Sequence, residues 1–291
     1  MNTVKKVVRI YEKGSSHWVG DGFPVRNLIP SSGLEGEIDP FLMLDYAGPA
    51  QFEASERPHG VGEHPHRGFE TVTIAYQGSV EHRDSSGNEG TIHPGDVQWM
   101  TAGSGVVHEE MHERAFAKTG GVFEMIQLWV NLPRSHKLTA PRYQTIKGAD
   151  IPKVAIGDQA YARIIAGELN GKTGPAQTFT PVYLIDVGIE SGEASLKIPA
   201  GYNTAIFLLK GRVRINDTLV DGEAKMALLD KTVETISLVG EAESRLLVMA
   251  GKPIAEPVAS YGPFVMNSKQ ELIQAVDDYQ AGRMGHLSKR A

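Results

Sequence analysis

One pattern of strands and turns occurs twice in this sequence, and it limits the possible folds more than any other feature. The segment that begins at His64, HPHRGFETVTIAYQGSV, aligns without gaps with the segment that begins at Lys197, KIPAGYNTAIFLLKGRV. The matched positions include Gly68 with Gly201, Phe69 with Tyr202, Thr71 with Thr204, and Gly78 with Gly211. Such repetition indicates a duplicated structural unit, although a strand-and-turn pattern can recur by chance in an all-β chain. We favour duplication because the glycine–aromatic pair and the terminal glycine both recur.

The rest of the sequence has the composition of a β-protein. Short runs rich in Val, Ile, Thr and aromatic residues alternate with Gly, Asn, Asp and Pro, which is typical of a many-stranded sandwich or barrel. A chain of 291 residues is long enough to bury two separate hydrophobic cores. We therefore predict an all-β protein with two tandem jelly-roll-like β-barrels and a short C-terminal α-helix.

That helix is predicted over about residues 268–282. Ser268 and Glu271 have the spacing of a capping box, in which the two side chains satisfy free backbone N–H groups of the first turn. Apolar residues follow at helical spacing, namely Leu272, Val276 and Tyr279. Gly282 is placed to end the helix.

Proline residues mark the expected boundary between the two barrels. Pro133 and Pro141 interrupt the strand-like sequence that ends at Val130. We assign the N-terminal barrel to residues 1–135, an inter-barrel linker and crossing segment to residues 136–175, and the C-terminal barrel to residues 176–291. The last range includes the predicted helix.

Composition excludes several kinds of site and partner. The chain contains no cysteine, so it has no disulfide and no thiolate ligand, and a reducing, cytoplasmic location is expected. Arg9 and Glu12 interrupt the apolar stretch near the N-terminus, so no signal peptide is predicted, and no run is long and apolar enough to span a bilayer. The net charge of −6, with acids and bases interspersed, argues against direct binding to nucleic acid or to an anionic membrane.

Two histidines in the first copy of the repeat are candidate metal ligands. Side chains alternate between the two faces of a β-strand, so His64 and His66 point the same way. The same alternation continues into apolar residues that mark the barrel interior, provided that Gly68 does not reset the register with a bulge. The residues that it would bring to the interior are Glu70, Val72, Ile74 and Tyr76. A metal ion would satisfy inward imidazole nitrogens that are costly to bury unpaired.

A second segment, GSGVVHEEMHE, places His108 and Glu110 on one face of another strand. Together with His64 and His66, His108 is expected to bind one metal ion, and imidazole with carboxylate suits iron, nickel, zinc, copper or manganese. Alternation does not decide whether Glu70 or Glu110 is the fourth ligand. The remaining histidines of this half are interpreted as structural or surface residues, namely His59, His82, His93 and His112.

The second copy of the repeat lacks these ligands. Lys197 and Pro199 stand where the first copy has its two histidines, and no histidine occurs between His136 and His286. The C-terminal barrel is therefore expected to lack a metal site and to act as a scaffold.

The motifs resemble those of one known family. HPHRGFETVT, PGDVQWMTAGSGVVHEEM and NLPRSHKLTAPRYQ are similar to signature segments of the pirin family, and the likeness extends to RNLIPSSGLEGEIDPFLMLDYAGP and FVMNSKQELIQAVDDYQAGRMG. The resemblance implies two cupin barrels, of which the N-terminal one holds a single mononuclear metal through three histidines and one glutamate. By motif position these ligands are His64, His66, His108 and Glu110, and Glu70 lies near the metal without binding it. The implied metal is Fe(II), with Ni, Mn, Cu, Co or Zn as alternatives.

The resemblance also implies a function. The first hypothesis is a quercetin 2,3-dioxygenase, in which a flavonol binds the metal through its 3-hydroxyl group and dioxygen opens the heterocyclic ring. Glu110 would take the hydroxyl proton, with Glu70 as the alternative base. The second hypothesis is a metal- or redox-responsive binding protein that modulates a transcription factor or a metabolic enzyme without turnover. Candidates for an apolar pocket, which ordinary core packing explains equally well, are Phe52, Phe69, Trp99 and Phe123.

Overall fold

The computed structural model describes residues 4–12, 14–29 and 35–288. Strands dominate these ranges, and the prediction of an all-β protein with one short C-terminal helix is confirmed. In chain order, the elements up to residue 148 are β1 (Val7–Tyr11), β2 (Ser15–Val19), β3 (Phe23–Ile29), α1 (Glu35–Ile38), β4 (Phe41–Phe52), β5 (Gly60–His66), β6 (Phe69–Gln77), β7 (Val80–Asp84), β8 (Glu89–Ile92), β9 (Val97–Thr101), β10 (Val106–His112), α2 (Arg114–Thr119), β11 (Gly121–Asn131) and β12 (Arg142–Ile146).

The remaining elements continue this pattern of short strands. They are β13 (Lys153–Gly157), β14 (Ala160–Ala166), β15 (Glu168–Leu169), β16 (Lys172–Thr173), β17 (Val182–Ile189), β18 (Gly192–Lys197), β19 (Asn203–Lys210), β20 (Arg212–Ile215), β21 (Thr218–Asp221), β22 (Lys225–Leu229), β23 (Thr235–Gly240), β24 (Ser244–Gly251), β25 (Ala259–Tyr261), β26 (Phe264–Met266) and α3 (Lys269–Gln280). Across the described part of the chain, no helix has the length and apolar character needed to span a membrane.

The chain forms two compact units. The first unit comprises residues 15–35, 41–148 and 255–291, and the second comprises residues 1–14, 36–40 and 149–254. In the first unit, a seven-stranded sheet of order β12-β9-β6-β11-β4-β3-β2 accompanies a four-stranded sheet of order β5-β10-β7-β8. In the second unit, one sheet has the order β1-β22-β19-β24-β17-β14-β13-β18-β23-β20-β21. Each unit therefore closes its own core with antiparallel strands, as the duplicated pattern predicts.

Apolar side chains fill the interior of each unit. In the first unit, Phe23, Val25, Ala75, Phe123 and Met125 belong to one buried cluster. In the second unit, the interior is apolar along β18, where Ala194 and Leu196 are buried while Lys197 is exposed. Burial of this apolar area, at about 25 cal/mol per Å², supplies the main driving force for both folds.

The division of the structure differs from the predicted boundaries. Because β1 pairs with β22, residues 7–11 belong to the sheet of the second unit. Helix α3 belongs to the first unit, where Leu272 and Ala275 join Val107 in a buried apolar cluster. The predicted linker, residues 136–175, contains β12, which pairs with β9, and β13 and β14, which join the sheet of the second unit. Strand pairing and apolar burial decide which unit each of these segments joins. The positions of prolines in the sequence reveal neither the pairing nor the burial.

The predicted C-terminal helix forms where the capping box places it. The Ser268 hydroxyl accepts a hydrogen bond from the Glu271 backbone N–H at 3.3 Å, and Glu271 Oε2 accepts one from the Asn267 backbone N–H at 3.0 Å. Such a cap contributes about 1 kcal/mol to helix stability. Gly282 has a φ of 73°, so the chain leaves the helix at the expected residue.

The turn between β5 and β6 resets the strand register. Gly68 has a φ of 87°, and its N–H donates a hydrogen bond to the Gly103 carbonyl oxygen at 2.9 Å. On the far side of this turn, Thr73 and Ala75 face the interior that His64 and His66 face, because the Thr73 hydroxyl reaches Glu110 and Ala75 lies in the core cluster.

The expectation that Glu70, Val72, Ile74 and Tyr76 share the interior face with the two histidines is therefore wrong. Side chains alternate on β6, so these four residues occupy the opposite face of the seven-stranded sheet. The physical cause is the positive φ of Gly68, which turns the chain between the two strands. Side chains after this turn therefore point to the face opposite to the one that uninterrupted alternation from His64 would give.

We predict that Gly68→Ala destabilises the protein much more than Gly201→Ala does. Both glycines have a positive φ, of 87° and 84°, so both substitutions carry the same backbone strain of about 1–2 kcal/mol. A Cβ at Gly68 would also overlap the Val265 carbonyl oxygen, whereas a Cβ at Gly201 would meet no described heavy atom within 4 Å. Calorimetric unfolding midpoints measure the difference, and equal losses in the two variants would contradict this account of the turn.

Candidate metal centre

Three histidines converge at one end of the four-stranded sheet. His64 and His66 end β5, and antiparallel pairing places His64 opposite His108 on β10. Ring centroids lie 4.9 Å apart for His64 and His66, 4.3 Å for His64 and His108, and 5.0 Å for His66 and His108. One ring nitrogen from each residue lies within 4.8 Å of the other two. In the described part of the chain, this is the one group of three or more such side chains positioned to hold a metal ion.

The environment keeps these imidazoles neutral. Burial lowers the pKa of His66 and of His108 well below 6.5, and the neighbouring histidines lower both further. Burial also lowers the pKa of His64, while its hydrogen bond to Gly62 opposes that change. Neutral imidazole is the form that coordinates metals, so the site is ready to bind a cation without first losing protons.

Unsatisfied nitrogen atoms indicate that the cluster fits a metal ion. Among the described residues, His66 Nδ1 and His108 Nε2 are buried without any hydrogen-bond partner. His64 Nδ1 lies 2.7 Å from the Gly62 carbonyl oxygen, a contact that fixes the ring and leaves Nε2 for another partner. Because a buried nitrogen without a partner costs free energy, a coordinated cation would remove a penalty that the protein alone does not relieve.

A tyrosine that sequence reasoning missed lies behind His108. The Tyr143 hydroxyl on β12 is 3.5 Å from His108 Nδ1, and the Tyr143 ring stacks on the His82 ring at 4.9 Å with an interplanar angle of 2°. His82 is buried and takes part in this stack. Residues of this kind orient the coordinating rings and are not identifiable from ligand spacing.

Glu110 lies in the same cavity but outside the group of nitrogen atoms described above. Its side chain is buried, and burial raises the pKa of Glu110 to about 7. The Thr73 hydroxyl is 3.4 Å from Glu110 Oε1, and Gln127 Nε2 is 3.5 Å from Glu110 Oε2, so both contacts are long. Weak restraint allows this carboxylate to turn towards a cation, and its role as fourth ligand remains a prediction.

Glu70 occupies a different environment. Its carboxylate accepts a hydrogen bond of 2.7 Å from the Thr101 hydroxyl, on the face of the sheet opposite the histidines. Burial raises the pKa of Glu70 to about 7, as it does for Glu110. The two carboxylates that sequence alternation could not distinguish are therefore separated by the sheet itself, and only Glu110 lines the cavity.

A cavity of about 370 Å³ adjoins the histidines. Its lining consists of His17, Val19, Phe23, Val25, Met43, Asp45, Val61, His64, His66, Glu110, Met125, Gln127 and Trp129. The four aromatic candidates from the sequence are absent from this wall, although Phe69 contacts His66 at 5.2 Å between centroids and Phe123 belongs to the core below. Most of the wall instead comes from β2, β3, β4 and β11, whose lining residues are apolar apart from His17, Asp45 and Gln127.

The turn that follows His66 is fixed by residues distant in sequence. Arg67 Nη1 forms an ion pair of 2.6 Å with Asp278 on α3, and Arg67 Nε donates to the Ser104 carbonyl oxygen at 2.7 Å. The Lys137 ammonium donates to the carbonyl oxygens of Gly68, at 2.8 Å, and Val265, at 2.9 Å. These contacts restrain the backbone beside His66, a candidate ligand, in the way that rigid metal sites hold their geometry.

Comparison with known proteins identifies close relatives. The pirin family model matches residues 22–130, and the model of the pirin C-terminal cupin domain matches residues 184–285. A Pseudomonas aeruginosa protein that is provisionally named a quercetin 2,3-dioxygenase is 51% identical over 282 residues, which are 96% of this chain and 98% of the relative. The crystal structure of quercetin 2,3-dioxygenase from Acinetobacter baumannii has a TM-score of 0.95 and 47% identity, and covers 98% of this chain and 100% of that one. A bacterial pirin from Escherichia coli in complex with nickel(II) shares the fold, with a TM-score of 0.64, 20% identity, and coverage of 84% and 100%.

We predict that His108→Ala removes most of the bound metal while His93→Gln retains it. His108 contributes a buried nitrogen to the cluster, whereas His93 is exposed and bonded to Ser79. Loss of one of three imidazoles weakens binding by orders of magnitude, because the remaining ligands no longer enclose the ion. Elemental analysis of both purified variants, with circular dichroism to verify folding, measures the effect. Wild-type metal content in folded His108→Ala would contradict the assigned site.

Proposed function

The chain belongs to the pirin family, and on this premise we propose that it is a mononuclear metal-dependent dioxygenase that cleaves flavonols such as quercetin. One observation carries the proposal: the cluster of three histidines adjoins a largely apolar cavity of about 370 Å³, and two of the three, His64 and His66, line it directly. A structural metal site needs no such space, whereas a catalytic site needs room for a substrate. The names of two relatives that cover nearly the whole chain support the same reaction.

The proposed metal ligands are His64, His66, His108 and Glu110. When bound, the metal, proposed to be Fe(II), would supply open coordination positions for substrate and dioxygen and the redox chemistry of oxygen activation. Burial lowers the pKa of His66 and of His108, so their imidazoles stay neutral and able to coordinate the metal. Nickel, which is bound in the Escherichia coli structure, and the other divalent metals are the alternatives that elemental analysis distinguishes.

Glu110 is the proposed base for the substrate. Burial raises the pKa of this carboxyl, which makes it a better proton acceptor than a free carboxylate, and to take the proton it would detach from the metal or share the proton with the bound oxygen. The 3-hydroxyl of a flavonol is the proton donor, and the resulting anion is the electron-rich form that reacts with oxygen. Thr73 and Gln127 contact the carboxylate only through long hydrogen bonds, so it stays free to reorient towards the substrate.

The cavity wall positions a flat aromatic substrate and excludes water. Phe23, Met125 and Trp129 supply broad apolar surfaces beside the histidines. In the proposed overall reaction, one flavonol and one dioxygen give a ring-opened ester and carbon monoxide. Both atoms of dioxygen enter the ester, and the carbon that carried the 3-hydroxyl leaves as carbon monoxide.

We predict that Glu110→Gln lowers quercetin-dependent oxygen uptake by at least about 100-fold, while Glu70→Gln retains most of the activity. The two residues form a matched pair, because burial raises the pKa of each to about 7 but only Glu110 lines the cavity. Oxygen consumption and carbon monoxide release by iron-loaded protein are measured together with metal content.

Three outcomes would count against the proposal. Full activity of Glu110→Gln would remove the proposed base, and equal losses in both variants would show that the effect is not specific to the cavity. Stoichiometric metal in the wild type without any oxygen uptake would exclude the dioxygenase and favour the regulatory binding protein.

A further inference from the structure

The substrate cavity has a polar row that leads away from the metal centre. Strand register places Thr73 opposite Gln127, Gln127 opposite Asp45, and Asp45 opposite Asn27. We call these four residues the polar row; it crosses the inner face of β6, β11, β4 and β3. Gln127 and Asp45 line the cavity directly, and Thr73 contacts Glu110 beside the histidines. The row therefore connects the metal end of the cavity with a second polar position.

Short hydrogen bonds hold the polar row in place. The Thr73 hydroxyl donates to Gln127 Oε1 at 2.6 Å, and Asn27 Nδ2 donates to Asp45 Oδ1 at 2.6 Å. Asp45 is 6% exposed, and burial raises the pKa of its carboxyl, while the Asn27 hydrogen bond and the nearby His17 oppose that rise. A fixed, buried carboxylate thus faces the interior of the cavity.

Apart from the Asn27 amide and the nearby His17, the cavity wall around Asp45 is largely apolar. Met43 precedes it on the same face of β4 and Val25 lies on the adjacent strand, and both belong to the apolar cavity wall. The backbone of β4 is already paired with β3 on one side and with β11 on the other. Because burying a carboxylate in such a wall is unfavourable, its position points to a use in binding.

The position of Asp45 matches the far end of an aromatic substrate. Neighbouring strands lie about 4.8 Å apart, so two strand spacings separate Asp45 on β4 from Thr73 on β6 by roughly 10 Å. A three-ring ligand held at the histidines by adjacent oxygen atoms can span that length and bring a ring hydroxyl to Asp45. The apolar residues between the two ends contact its ring faces.

We propose that Asp45 determines substrate specificity by accepting a hydrogen bond from a phenolic hydroxyl group at the end of the substrate that is remote from the metal. This inference rests on the proposed flavonol dioxygenase function and adds a second recognition point to it. A carboxylate accepts such a bond strongly because it is charged. Asn27 donates to Asp45 Oδ1 in either case, but a substrate without the hydroxyl would cover Oδ2 and leave that oxygen without water or a donor, which is the basis of strong discrimination.

The test compares two flavonols that differ in their ring hydroxyls. Quercetin carries hydroxyls on both outer ring systems, whereas 3-hydroxyflavone carries only the chelating one. Isothermal titration calorimetry with iron-loaded protein under anaerobic conditions measures binding without turnover. The variants are Asp45→Asn, which keeps the shape and the Asn27 contact, and Met43→Leu, which changes the same wall without altering its charge.

The wild type is expected to bind quercetin at least about tenfold more tightly than 3-hydroxyflavone, the effect of one charge-assisted hydrogen bond. Asp45→Asn is expected to abolish most of this preference through weaker quercetin binding, with little loss for 3-hydroxyflavone. Met43→Leu should change both affinities by similar factors. A residue needed only for folding would weaken the two ligands equally, so the ratio of affinities isolates recognition.

The outcomes separate this inference from the proposed function. A wild-type preference that persists in Asp45→Asn, or a wild type that binds both flavonols equally, would overturn the role of Asp45 and leave the dioxygenase intact. Binding of neither flavonol to metal-loaded wild type would overturn both. Asp45→Leu, an apolar residue of similar shape, replaces Asp45→Asn if that variant does not fold by circular dichroism, and the same loss of preference is expected.

Discussion

The antiparallel pairing of β5 with β10 is the interaction on which the rest of the site depends. It places His64 opposite His108 and Val106 opposite His66, so three imidazoles from two strands meet within the distance that one cation can bridge. Burial then keeps the rings neutral and leaves two of their nitrogens without partners among the described residues. Folding therefore produces a cluster of candidate metal ligands whose desolvation cost a bound cation would offset.

Contacts from distant parts of the chain keep this pairing at a fixed geometry. The turn after His66 requires Gly68, whose missing side chain allows the Val265 carbonyl to approach, and Arg67 is held by Asp278 of α3. The C-terminal segment is thus part of the unit that carries the histidine cluster, although most of the second unit precedes it in sequence. The opposite wall of the cavity comes largely from β3, β4 and β11, which supply apolar surface and the carboxylate of Asp45 to the proposed substrate site.

The sequence predicts the local features well because each depends on neighbouring residues. Strand composition, the duplicated pattern, the capping box at Ser268 and the family motifs all led to the correct fold, and the family is confirmed by the matching domain models. Alternation failed after Gly68, because one positive φ shifts every later side chain of β6 to the other face. Tyr143 and Asp45 were not anticipated, since their proximity to the site arises from strand order and not from spacing along the chain. The assignment of β1 and α3 to their units depends in the same way on long-range pairing and packing.

The central claim is that one metal ion is held by three imidazoles in this cavity and by nothing in the second unit. X-ray absorption spectroscopy of iron-loaded protein tests it most directly, because imidazole rings give characteristic scattering beyond the first coordination shell. The account predicts one iron per chain with light-atom ligands at about 2.0–2.2 Å and a signal that requires three imidazoles. A spectrum that fits with one imidazole or none, or a second equivalent of tightly bound iron, would contradict it.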